Sequence, residues 1–149
     1  MIYVPCGEKE IAYLKAKDKK LAAVIEILGV LERPVHADVF SAVVHHIIGQ
    51  QISTKAQEAV WARLCEKIGT VDAAHLLHLG REELQAVGTS FRKADYIMDF
   101  AERVANGGFD LAALEKMSDE EVISSLSSLK GVGVWTAEML LIFTLRRTD

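Results

Sequence analysis

The sequence predicts an all-α fold, and three observations predict it. Apolar residues recur at the helical period along the whole chain. Only two of the 149 residues are proline, so few helices are broken. No stretch shows the strict alternation of a half-buried strand. At this length one domain is expected, large enough to bury a core.

The elements follow from punctuation. The run Glu8–Lys20 alternates charges and reads as a solvated helical face. Leu21, Val24, Ile25 and Leu28 form an apolar stripe stopped by Gly29. Phe40, Val43, Val44, Ile47 and Ile48 form a second, stopped by Gly49. Ser53 caps a third helix carrying Ala56, Ala59, Val60, Leu64 and Ile68, with Gly69 after it. Short helices are expected over Ala73–Leu79 and Glu82–Val87. Ser90 caps a longer helix through Ala94, Ile97, Met98, Ala101 and Val104, ended by Gly107–Gly108. Asp110–Met117 reads as a short helical piece, and Ser118 with Glu121 forms a capping box before Val122, Ile123 and Leu126. Leu84–Ala94 echoes Leu129–Ala137: each has a glycine six residues before an alanine, Gly88 before Ala94 and Gly131 before Ala137.

Composition excludes several classes. The net charge of -4 gives no bulk basic signature, yet helix ends can hold phosphate on an acidic protein. Cys6 and Cys65 fit neither a zinc spacing nor a disulfide framework. Met1–Glu10 lacks the pattern of a signal peptide, and the run Met139–Phe143 is far too short to span a bilayer. A cytoplasmic protein without membrane partners is expected. His45 and His46 are adjacent, hence about 100° apart on a helix, and share no metal. His75 and His78 lack a third ligand, so no metal site is expected. Asp95 and Asp99 lie on one helical face and read poorly as catalysts.

The informative stretch is LKGVGVWTAEMLLIF, Leu129–Phe143. Gly131 and Gly133 allow positive φ and the close approach of another backbone. The helix that follows presents free amide N–H groups at its start, and those amides with the helix dipole can hold a phosphate. An ordinary αα-turn with a glycine cap satisfies the same pattern.

Leu129–Ala137 resembles the helix-hairpin-helix of the DNA base-excision glycosylases, and most the 3-methyladenine DNA glycosylase II branch. IIGQQISTKA, Ile47–Ala56, is similar to a signature of that branch, and Ser90–Ile97 is a third match in family order. The resemblance runs from about Leu21 to the end of the chain. It implies a helix-hairpin-helix glycosylase fold with two helical lobes, DNA crossing the cleft and a damaged nucleotide flipped into a pocket. On the 149 residues this gives a single all-α glycosylase domain, with 1–35 in the first lobe and 36–149 as the helical lobe bearing the hairpin at 129–137.

By resemblance, Gln51 is the wedge that fills the gap left by the flipped base, and Gln50 is structural. Gly131, Gly133, Val134 and Thr136 hold a DNA phosphate, with Lys130 assisting. Arg92 and Lys93 are candidate DNA contacts. Trp135 lines the base pocket, where a cationic alkylated purine is attracted to an aromatic face. Lyase relatives carry a lysine at the position of Trp135 to form a Schiff base, so a tryptophan points to the monofunctional branch. No organic or redox cofactor is implied, only a monovalent cation held by hairpin carbonyls. The partner implied is double-stranded DNA containing alkylated bases.

One departure stands out. The family's catalytic aspartate is expected about twenty positions beyond Trp135, past the last residue, Asp149. Asp149 itself matches a non-catalytic aspartate. The expectation is therefore a glycosylase domain truncated at the C-terminus, lacking its last helices, inactive on its own and self-associating through the uncovered first lobe. Two rivals remain: a non-catalytic helix-hairpin-helix DNA-binding module, and a helical protein-interaction domain.

Overall fold

In a computed structural model the chain is helical, as expected, with one addition. The structure describes residues 2–3, 6–30, 34–35 and 38–147; Asp149, compared above with a family aspartate, lies outside them. The chain divides into two compact units, Met1–Val35 and His36–Asp149.

In the first unit, strand β1 (Ile2–Tyr3) pairs antiparallel with β2 (Pro34–Val35), Ile2 opposite Val35. Two residues are too few to show alternation, which is why periodicity missed them. Between them run α1 (Glu8–Lys17) and α2 (Lys19–Leu28). Asp18 separates the two and caps α2, accepting from the Lys20 and Leu21 amides. Neither helix carries a buried residue, so the charged α1 is the solvated face its sequence indicates. On α2 the stripe stands open, with Val24 48% and Leu28 58% exposed, and Ile27 beside it is 82% exposed.

The second unit is built around α3 (Val39–Gly49), buried at Phe40–Val44 and at Ile47 and Ile48. It starts at Asp38, whose carboxylate accepts from the Ser41 amide. Around it lie α4 (Thr54–Ile68), α5 (Ala73–Leu79), α6 (Arg81–Ala86), α7 (Phe91–Ala105), α8 (Asp119–Ser127) and α9 (Val134–Phe143). The Ser53, Ser90 and Ser118 caps form, the last as a reciprocal capping box with Glu121. The helical piece expected over Asp110–Met117 contracts to one 3-10 turn, Ala113–Lys116. Asp110 accepts from the Ala112 and Ala113 amides, which turns the chain before a helix can start.

The core joins α3 to α7 and α9 through Val43, Ile47, Ile97, Phe100 and Leu140, each almost fully buried. Phe40 stacks on Phe100 at 4.8 Å. Burying one such side chain contributes about 1.5–3 kcal/mol, so this face fixes how the three helices meet. The end of α3 and the start of α9 meet at the hairpin, and α7 runs along it with Tyr96 and Asp99. Cys65 is half-buried, and burial pushes its thiol up, consistent with an idle cysteine. Among the described residues no helix is long and apolar enough to cross a membrane.

Candidate nucleic-acid interface

The hairpin forms between α8 and α9. Gly131 has φ +81°, and a Cβ built there would collide with the Tyr96 ring. This position requires glycine twice, for conformation and for space. Gly133 differs from the expectation. Its φ is -96°, which any residue adopts, so positive φ is not its role. It is the N-cap of α9, with nothing within 4 Å of an added Cβ. Its missing side chain leaves open space in front of the helix.

No side chain caps α9. Its first-turn amides, of Val134, Trp135 and Thr136, point into that space with the positive end of the helix dipole. Val134 is 55% and Trp135 67% exposed, while Thr136 is buried. A tryptophan on a helix this apolar reads equally as core from sequence, yet the indole stands in solvent. Ala137, Leu140 and Leu141 supply the packing face instead.

Lys130 pairs with Asp99 at 2.5 Å. The carboxylate beside it holds the Lys130 ammonium above the usual lysine range, and it remains well exposed. Asp95 is engaged by Arg81, so both α7 aspartates have cationic partners.

The second motif lies at the end of α3. Gln50 is its C-cap and Gln51 follows with φ +58°, a left-handed conformation costing an L residue about 1–2 kcal/mol. An exposed glutamine stands here in a conformation where glycine or asparagine is usual. Gln50 instead turns inward, and its Nε2 donates to the Gly131 carbonyl at 2.5 Å. The two motifs, 81 residues apart, therefore touch directly.

Arg92 is exposed at the start of α7. Lys93 is not available as a surface contact. Its Nζ donates to the carbonyls of Ile48 at 2.8 Å and Gln50 at 2.6 Å. Burial, and secondarily the charge of Arg92, pushes the Lys93 ammonium below the usual lysine range. Sequence reasoning missed Tyr96 and Asp99 as supports of the hairpin. Their spacing from Lys93, three and six residues, is the signal that could have found them. The echoed turn at Gly88 also takes positive φ, +110°, and Ala94 and Ala137 are both fully buried.

A cleft of about 420 Å³ lies elsewhere, lined by Asp38, Phe40, Leu111, Glu115, Arg146 and Arg147. None of the residues predicted for the site lines it. Among the described residues no three His, Cys, Asp or Glu side chains gather as metal ligands.

The family description that matches this chain, over residues 44–146, is the HhH-GPD superfamily of base excision DNA repair proteins. The matched span holds both motifs. The chain belongs to this superfamily. As an HhH-GPD protein it is 30% identical over 145 residues to the alkylbase DNA glycosidase-like protein mag2 of Schizosaccharomyces pombe, covering 92% of this chain and 68% of that one. It is 32% identical over 114 residues to DNA-3-methyladenine glycosylase 1 of the same organism, covering 74% of this chain and only 50% of the relative.

Among solved HhH-GPD structures, the DNA-3-methyladenine glycosidase of Bacillus halodurans superposes with a TM-score of 0.77 at 34% identity. The match covers all of this chain and 70% of that one. The Schizosaccharomyces pombe 3-methyladenine DNA glycosylase, solved with abasic DNA, gives 0.80 at 28% identity, covering 95% of this chain and 72% of that one.

Proposed function

We propose that this chain is the DNA-gripping part of a base-excision glycosylase that hydrolyses the N-glycosidic bond of alkylated purines, of 3-methyladenine type, without cutting the strand. The observation that carries the reading is the arrangement at α9. An uncapped helix start faces open space beside an exposed tryptophan, and an inward glutamine ties it to the strained turn presenting Gln51.

Each part has a physical task. The amides of Val134 to Thr136 hold a phosphate, aided by the partial positive charge of about +0.5 at a helix N-terminus. Gly133 keeps the approach clear, and Lys130 adds charge at the same end. Gln51 enters the stack and offers its amide to the orphaned base, offsetting the few kcal/mol that unstacking costs. Trp135 presents a π-face to the extruded purine. Alkylation at N3 or N7 makes that purine cationic, and a cation over an indole gains about 0.5–2 kcal/mol. Trp135 also has no amine for a Schiff base, so the chemistry is hydrolysis alone.

A forming sugar cation needs a carboxylate nearby. The reading assigns grip and extrusion to the residues named above. In the first unit, the open stripe of α2 pairs with a second copy of the chain.

The test is titration with two duplexes at low salt, one intact and one carrying a stable abasic-site analogue. The expected result is tighter binding of the abasic duplex, weakening steeply as salt rises. Equal binding to both favours a non-catalytic DNA-binding module. Binding to neither favours a protein-interaction domain.

A further inference from the structure

The wedge turn and the hairpin are held by one stripe of α7 and by each other. Lys93, Tyr96 and Asp99 are spaced three residues apart, so they share a face of that helix. Lys93 holds the turn through the Ile48 and Gln50 carbonyls. The Tyr96 ring lies against Gly131, where a Cβ would collide with it. Asp99 holds Lys130, the residue before it. Gln50 then closes the loop from the turn to the Gly131 carbonyl.

Two features separate this arrangement from ordinary packing. Lys93 spends a partly buried cation on main-chain carbonyls that a helix end usually leaves to water. Desolvating an ammonium is costly, and it is offset by the fixed position given to Ile48 and Gln50, just ahead of Gln51. Gln50 and Gln51 are also neighbours with opposite directions, one inward onto the hairpin and one outward with left-handed backbone. Where Gln51 points is set by what holds Gln50.

We propose that Lys93 and Gln50 are positioning residues that lock the wedge turn to the phosphate-binding hairpin, so that a gripped phosphate and an inserted Gln51 occur at one fixed separation. Neither touches DNA. Gln50 transmits the hairpin's position to the turn, and Lys93 keeps the turn from relaxing. This rests on the wedge and phosphate assignments above.

The test uses the full chain with Gln50→Ala, Lys93→Met and Lys93→Arg. Each is titrated with intact and abasic duplex, and amide hydrogen exchange is followed at residues 48–52 and 129–137. The expected result is that Gln50→Ala and Lys93→Met keep intact-duplex binding but lose about tenfold of the abasic preference, the order of one lost hydrogen bond. Lys93→Arg restores the preference, because a guanidinium still donates to both carbonyls. In Lys93→Met, exchange also rises at the hairpin, although position 93 bonds no hairpin atom. A simple loss of stability lowers both affinities together and leaves their ratio unchanged, which overturns the proposal. Unchanged hairpin exchange in both variants overturns it too, whatever the DNA result. Equal binding of both duplexes by the unmodified chain sinks the wedge assignment first, and the positioning roles with it.

Discussion

The two hairpin glycines should fail in opposite ways when each is replaced by alanine. In Gly131→Ala the new residue keeps a φ of +81°, which costs about 1–2 kcal/mol. Its Cβ also drives into the Tyr96 ring, and overpacking of this kind costs about 1–3 kcal/mol. Together these predict a loss of about 2–5 kcal/mol, a large share of the 5–15 typical of a domain. For a chain of this size the midpoint of thermal unfolding should fall by about 10 °C. In Gly133→Ala, φ is already ordinary and the space is empty. Reduced freedom of the unfolded chain favours the alanine, the poorer N-cap disfavours it, and each effect is about 0.5–1 kcal/mol. Stability should barely change, while the methyl group now stands where a phosphate must approach the α9 amides. Urea unfolding followed by circular dichroism, paired with duplex titration, reads both effects. If Gly131→Ala is as stable as the parent, or if Gly133→Ala binds abasic duplex undiminished, the account of the hairpin is wrong.

Four further outcomes follow from the same geometry. Trp135→Ala should leave stability within about 1 kcal/mol, since the indole is two-thirds exposed, yet weaken binding of an alkylated-base duplex; a large drop in unfolding midpoint would return Trp135 to the core. Gln51→Gly should relieve the left-handed strain and stabilise the chain by about 1 kcal/mol while erasing the abasic preference, and retained preference would refute the wedge. Lys130→Ala should lower the slope of log affinity against log salt by about 1, and an unchanged slope would mean that Lys130 never leaves Asp99 for a phosphate. The open α2 stripe should drive concentration-dependent association in sedimentation, abolished by Ile27→Glu, and a clean monomer at high concentration would contradict it.

Legibility in the sequence divides along the range of the interactions. Ser53, Ser90 and Ser118 were readable because a cap binds an amide three residues away, and both partners sit in one short window. The stripe of α3 was readable because Phe40, Val43, Val44, Ile47 and Ile48 recur at the helical period, and all five are buried. The hairpin was readable as a turn, but the difference between its glycines was not. Gly131 differs from Gly133 in its positive φ and in the Tyr96 ring against it, which comes from 35 positions earlier. Lys93 shows the same limit most sharply. Next to Arg92 it reads as part of a basic pair, and its burial depends on carbonyls more than 40 residues upstream. Gln50 reads as a helix-end residue, and its bond to Gly131 spans 81 positions. Trp135 could not be placed by pattern, because α9 is apolar all round and tertiary contacts alone decide which face is buried.

The most direct test of the account is a two-dimensional amide titration of the isotope-labelled chain with a duplex carrying an abasic-site analogue. The account predicts that the largest shifts cluster in two segments, 49–52 and 131–137, with the Val134 to Thr136 amides moving most and the Trp135 indole N–H responding with them. Shifts spread evenly over the surface, or centred on the cleft by Asp38 and Arg147, would contradict it.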